Sequence, residues 1–248
     1  MRAIILSLCL CSAVAPQIAR AGTVSVAVAS NFTEAANELS AAFSAATGDR
    51  AVLSFGATGQ FYAQITQGAP FEVFLAADDE RPQRAVAEGF GVEGSVFTFA
   101  VGQLVLYSAS PGVVTGPQTL TAGDFERIAI ANPQTAPYGA AAVEVMQGLG
   151  VLDALEGKIV QGQNIGQAFQ FVATGNARLG FVALGQVALL DGGSRWIVPQ
   201  ELYTPIRQDA VLLTKGRDNP AAAAFLVFLK GDAAQRIIAR HGYGLDER

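Results

Sequence analysis

Two short stretches of this chain carry neutral hydrogen-bond donors at the point where an apolar run gives way to a helical pattern. Ser30 and Asn31 follow the β-like run 24–28, and Thr58, in Gly56-Ala57-Thr58-Gly59, follows the run 51–55. At such a junction the first N–H groups of the helix have no intrahelical partner, and the macrodipole adds a partial positive charge. A small oxyanion is held there without a lysine or arginine, and hydroxyl and amide side chains extend the donor set. Taken singly, each of these residues reads more readily as a helix N-cap. Together, and with a third turn at Ala76-Ala77-Asp78-Asp79 after the strand-like run 72–75, they point to an anion crevice. Asp78 and Asp79 themselves read as caps of the helix they precede. A nucleophilic role for Ser30 needs a base within reach, and the chain has one histidine, His241, and no Gly-x-Ser-x-Gly elbow around Ser30.

The elements that must position these residues follow from periodicity. Phe32, Ala35, Ala36, Leu39, Ala42 and Phe43 recur at helical spacing, with Gly48 as a stop signal. A second short helix is expected over 60–67, ended by Gly68-Ala69-Pro70. In the middle of the chain a strand over 127–131 leads through Ala136-Pro137-Tyr138-Gly139 to a helix over 140–149. A strand over 158–161 leads through Asn164 and Ile165 to a helix over 166–174, and a buried strand follows over 179–182. Asn219-Pro220 opens a helix over 221–230, and another follows over 232–240. Strands alternating with helices read as an α/β protein with parallel sheets, whose ligands sit at the strands' carboxyl ends. One βα set, then a second, then returning terminal helices imply two lobes crossed by two strands. The expected division is 22–99 plus 206–248 for the first lobe and 100–205 for the second, with Trp196 near the return crossing.

Arg2, the apolar run 3–15 and Ala19-Arg20-Ala21 before Gly22 read as a cleaved secretory signal peptide over 1–21. The apolar run is shorter than the ~20 residues a spanning helix needs. Cys9 and Cys11, the two cysteines of the chain, lie inside that run, so the mature chain is expected to carry no disulfide. Cleavage removes Arg2 and Arg20 and no acid, which takes the formal charge from −5 to −7. Nucleic acid and anionic membrane are poor partners for such a chain. An acidic protein that binds an anion must do so with local dipoles.

At the residues just named, with Phe71-Glu72-Val73-Phe74-Leu75-Ala76-Ala77-Asp78 after Gly-Ala-Pro, Leu179-Gly180-Phe181-Val182, and the closing Phe228-Leu229-Lys230-Gly231 and His241-Gly242-Tyr243-Gly244, the chain resembles the periplasmic molybdate-binding proteins of ABC importers. The similarity runs through the whole mature chain in the family's order. It implies an α/β, two-lobed periplasmic binding protein of type II, each lobe a mostly parallel sheet flanked by helices and joined by two crossover strands. Carried over by position, the oxyanion contacts are Ser30, Asn31 and Thr58 from one lobe and Tyr138 and the backbone N–H of Ile165 from the other, with Ala77 as a further backbone contact. One branch of the family has its tyrosine directly after the strand matching 179–182. Here that position is Ala183, so the chain resembles the branch with tyrosine in the Ala-Pro-Tyr-Gly turn.

The resemblance further implies a periplasmic monomer that hands molybdate or tungstate to an inner-membrane ABC permease. It implies no cofactor, no catalytic residue and no cation ligand beyond the oxyanion itself. A receptor for another tetrahedral oxyanion such as sulfate, and an anion sensor outside transport, are the alternatives. Molybdate at neutral pH is a dianion with four acceptor oxygens and no proton, so its best pocket offers donors alone.

Overall fold

The structure is a computed structural model and describes residues 21–245. The expected signal peptide, apart from Ala21, lies outside the described residues.

Strand β1 (Thr23–Ala29) shows why the first sheet is covered on both faces. Val24, Val26 and Val28 enter one apolar cluster and Ala27 enters another on the opposite face, as expected for a near-continuous apolar run in a parallel sheet. Helix α1 (Thr33–Thr47) buries Ala35, Ala36, Leu39 and Phe43 along one stripe and ends at Gly48. The chain continues through β2 (Arg50–Gly56), α2 (Thr58–Thr66), β3 (Val73–Leu75), α3 (Glu80–Ala87) and β4 (Phe97–Gly102). One residue, Gln103, then separates β4 from β5 (Leu104–Ser108), which belongs to the second sheet.

The second lobe follows with α4 (Gln118–Ala122), β6 (Ile128–Ala131), α5 (Pro137–Gly148), α6 (Leu152–Leu155), β7 (Ile159–Gly162), α7 (Ile165–Ala173), β8 (Leu179–Ala183), α8 (Leu184–Val187) and β9 (Ser194–Ile197). The return strand β10 (Ile206–Leu212) rejoins the first sheet, α9 (Pro220–Lys230) packs on that sheet, and α10 (Asp232–Arg240) packs on α1 and α9.

Each sheet has five strands, ordered β2-β1-β3-β10-β4 and β7-β6-β8-β5-β9. In the first, β1 is parallel to β2 and β3, and β10 runs antiparallel to β3 and β4. In the second, β6 is parallel to β7 and β8, and β5 runs antiparallel to β8 and β9. This is the expected two-lobed α/β architecture with two crossings, at Gln103 and just before β10.

The lobe boundary expected between 99 and 100 falls at Gln103, because β4 stays paired in the first sheet to Gly102, and two helix starts shift by two residues or more. Helix α2 begins at Thr58 rather than at 60. Helix α5 begins at Pro137, with Ala136 as its N-cap residue, because proline's missing N–H and fixed φ suit the first helical position. Ala-Pro-Tyr-Gly is therefore the first turn of a helix, and Tyr138 is already on it. Trp196 lies on β9, opposite Leu106 and packed on the second lobe's core, rather than at the return crossing.

The turn that carries Ser30 and Asn31 is held by the residue after them. Phe32 is 1% exposed and makes edge-on contacts with Phe99 at 4.9 Å and Tyr243 at 5.0 Å between ring centroids. Phe32→Ala is expected to lower folding stability by about 3–5 kcal/mol, the range for deleting a buried aromatic ring. Chemical denaturation checks it, and a loss under 1 kcal/mol would show that the turn is held by something else.

Candidate functional site

The six residues singled out in the sequence meet in one cleft between the lobes. Ser30, Asn31, Thr58 and Ala77 line it from the first lobe, Tyr138 and Ile165 from the second. Each sits beyond the carboxyl end of a strand. Ser30 and Asn31 form a 3₁₀ turn leading into α1, Thr58 is the first residue of α2, Tyr138 lies in the first turn of α5, and Ile165 is the first residue of α7. The positive ends of four helices therefore converge on the same point. No acidic or basic side chain is among the lining residues. The enclosed cavity volume is small, about 10 Å³, far below the ~300–1,000 Å³ of pockets for larger organic ligands.

The hydroxyls of Ser30 and Thr58 are not N-caps. Helices α1 and α2 take no side-chain cap bond, and both oxygens are engaged elsewhere. Ser30 Oγ accepts from Gly166 N, across the cleft, at 3.2 Å. Thr58 Oγ1 accepts from Ala77 N at 3.0 Å. The Ala77 N–H is thus spent on Thr58, and what Ala77 supplies is the orientation of that hydroxyl. A hydroxyl whose lone pair is filled by an N–H keeps its own proton to donate.

Asn31 departs from the expectation that its side-chain amide donates into the cleft. Its Nδ2 donates to Gln208 Oε1 at 2.8 Å and to Tyr243 Oη at 3.2 Å, and its Oδ1 is buried without a partner. What Asn31 offers a ligand is its main-chain N–H at a helix start. In α7, Gly166 N is held by Ser30, and Gln167 N donates to the capping oxygen Asn164 Oδ1 at 2.9 Å. The Ile165 N–H, ahead of both, has no acceptor within its helix.

Tyr138 is 1% exposed. Burial, and then the nearby Tyr243 and Tyr203 hydroxyls, push its pKa well above the usual phenol value, so it keeps its proton. Its Oη accepts from Gln208 Nε2 at 3.4 Å. A Cβ on Gly102, at the end of β4, would lie 2.0 Å from that hydroxyl. The crossing needs glycine there because the phenol ends against it.

Gln208 and Tyr243 were not among the sequence candidates. A polar run, Arg207-Gln208-Asp209, inside strand β10, with Gln208 and Asp209 buried, was the available signal, since buried polar residues demand partners. Of the two expected caps, Asp78 serves α3 by accepting from Arg81 N at 3.0 Å, whereas Asp79 makes no side-chain cap bond. His241 Nε2 is 3.0 Å from Glu38 Oε2 on α1, away from the cleft, and burial followed by Arg240 lowers its pKa. Ser30 thus faces a backbone N–H where a hydrolase would need a base.

The lobes touch directly at a second place. Gly59 N donates to Thr135 O at 2.9 Å, and a Cβ on Gly59 would stand 3.0 Å from Thr135 Cα. Gly59→Ala should leave the ligand-free fold as stable or slightly more so, since alanine suits a helix better by roughly 0.5–1 kcal/mol. It should hold the lobes apart and weaken ligand binding several-fold. Calorimetry with thermal denaturation checks both halves, and an unchanged affinity would mean that this approach does not limit closure.

The sequence matches the family described as bacterial extracellular solute-binding protein over residues 24–244. It is 57% identical over 225 residues to the molybdate-binding protein ModA of Rhodobacter capsulatus, covering 91% of this chain and 89% of that protein. It is 56% identical over 231 residues to ModA of Azotobacter vinelandii, covering 92% of each. Among solved structures, the Azotobacter vinelandii periplasmic molybdate-binding protein superposes with a TM-score of 0.88 at 41% identity, over 90% of this chain and 100% of that one. With this fold and a cleft built where the family resemblance expects it, the chain belongs to the periplasmic molybdate-binding proteins within the bacterial extracellular solute-binding family.

Proposed function

We propose that this protein captures molybdate or tungstate in the periplasm between its two lobes and delivers it to an inner-membrane ABC permease, acting as a monomer and performing no chemistry on it. The observation that carries this reading is a cleft lined by donors and apolar groups, with no charged side chain. The hydroxyls of Ser30, Thr58 and Tyr138 and the main-chain N–H groups of Asn31 and Ile165 are the contacts. Each hydrogen bond to a charged group contributes roughly 1.5–3 kcal/mol, so a handful of converging donors offsets much of the dianion's desolvation. The anion is cargo, and the reading requires no resident cofactor. The similarity to molybdate-binding relatives over nearly the whole chain favours molybdate over sulfate.

Molybdate and tungstate should each bind one per chain and raise the melting temperature, while sulfate and phosphate at the same concentration do little. A ligand that binds the native state alone stabilises it by ~4 kcal/mol at a thousandfold excess over Kd. Equal shifts for all four anions in a thermal scan would remove the molybdate assignment and leave an unselective oxyanion site.

Two substitutions test the contacts. Thr58→Val removes one hydroxyl donor and strands the Ala77 N–H, so affinity should fall about ten- to a hundredfold and stability by ~1–3 kcal/mol. Thr58→Ser keeps the hydroxyl and should restore most of both. Asn31→Asp sets a carboxylate beside the dianion and should nearly abolish binding at neutral pH. Wild-type affinity in Asn31→Asp would sink the proposed site.

A further inference from the structure

Behind the cleft, where β10 crosses between the lobes, four buried polar side chains form one directional chain. Its direction follows from a single fixed end. Tyr243 Oη donates its only proton to the Asn31 carbonyl at 2.7 Å, so any side chain facing the remaining lone pair of that oxygen must be a donor. This orients the Asn31 amide with Nδ2 toward Tyr243, at 3.2 Å. The second Nδ2 hydrogen then meets Gln208, which must present its carbonyl, at 2.8 Å. With Oε1 committed to Asn31, the group Gln208 turns toward Tyr138 is its amide Nε2, at 3.4 Å. Tyr138 Oη is thereby an acceptor from behind, and its own proton is left for the cleft it lines.

Gln208 is 0% exposed. It sits on the strand that joins the lobes, at a register shift between Gln208 and Asp209 in the pairing with β4, and such irregularities re-aim side chains beside functional sites. Gly102, on β4, leaves the space in which the Tyr138 hydroxyl and the Gln208 amide meet. A Cβ there would stand 2.0 Å from the first and 2.9 Å from the second. Neither Gln208 nor Tyr243 is among the residues lining the cleft. Both lie one layer behind it, one on the crossing strand and one in the C-terminal segment.

We infer that Gln208 is a positioning residue of the anion site: anchored by Asn31 and Tyr243 of the first lobe, its amide sets Tyr138 of the second lobe as a donor toward the bound anion. The same contact ties the turn that begins α1 to the turn that begins α5 through the crossing strand. Tyr138 therefore points its proton correctly when the two lobes are in their mutual closed position. The inference rests on the oxyanion reading of the cleft given above. An acceptor in place of the Gln208 amide would draw the Tyr138 proton backward, away from the cleft, and an apolar group would leave the Asn31 side chain alone behind the hydroxyl.

The test is a double-mutant cycle by calorimetry, with sodium molybdate as the probe and the ligand-free melting temperature recorded for every variant. Tyr138→Phe removes the donor, and Gln208→Leu and Gln208→Glu remove what directs it. Gln208→Leu should weaken molybdate binding about tenfold, the size of one charge-assisted hydrogen bond. Gln208→Glu, which has the same shape, should weaken it at least as much. In the Tyr138→Phe background Gln208→Leu should cost no further affinity, because its effect passes through the missing hydroxyl. A purely structural role for Gln208 would lower the melting temperature and weaken binding by the same factor in both backgrounds, and that result overturns the inference. Wild-type affinity in Gln208→Glu overturns it as well, and this variant decides the matter should Gln208→Leu fail to fold. If the unsubstituted protein does not bind molybdate, the proposed function fails first.

Discussion

The arrangement of this molecule depends on one electrostatic constraint, that a doubly charged anion must be held inside an acidic protein without a balancing cation. A buried lysine or arginine would attract every anion alike and would itself need a partner once the cleft emptied. Main-chain N–H groups at helix starts avoid both problems, since their charge is partial, fixed in direction and already part of the fold. Helix starts of this kind lie at the carboxyl ends of parallel strands. One sheet brings two of them together, at Ser30–Asn31 and Thr58, and the opposing sheet brings two more, at Tyr138 and Ile165. Surrounding a tetrahedral ion with donors requires two such sheets facing each other, which is what the crossing strands provide.

The three hydroxyls in the cleft share a common device. Ser30 Oγ accepts from Gly166 N, Thr58 Oγ1 from Ala77 N, and Tyr138 Oη from the Gln208 amide. A hydroxyl in water rotates freely and offers a lone pair as readily as a proton. One whose acceptor side is already filled offers the proton. The site is thus biased toward donation before the ligand arrives, and the reorganisation that binding requires is correspondingly small. In two of the three cases the partner comes from the other lobe or from the crossing strand, so closure and hydroxyl orientation are linked.

Much of this was legible in the sequence, for reasons that also mark the limit. The β1 and α1 patterns, the Asn164 cap of α7 and the helix over 166–174 follow from local periodicity and capping, and the structure has them within a residue. The residues of the cleft were visible because hydroxyls and an amide stand at strand-to-helix junctions. What local signals could not supply was the direction of a side chain. Asn31 faces backward because Gln208 and Tyr243, 177 and 212 positions away, occupy its amide. Thr58 looks like an N-cap until Ala77 is brought beside it by the pairing of β3 with β1. The early starts of α2 and α5 were missed because glycine and proline read as turn formers, whereas here they stand in first helical turns.

The central claim is that a single tetrahedral anion sits among uncharged donors at the meeting point of four helix starts. Anomalous diffraction at the molybdenum edge, from crystals grown with molybdate, tests it most directly. The account predicts one strong peak per chain in the cleft, with the anion's oxygens about 2.7–3.2 Å from the hydroxyl oxygens of Ser30, Thr58 and Tyr138 and from the main-chain nitrogens of Asn31 and Ile165, and with no arginine or lysine nitrogen in contact. A peak outside the cleft, or one ligated by a charged side chain, would contradict it.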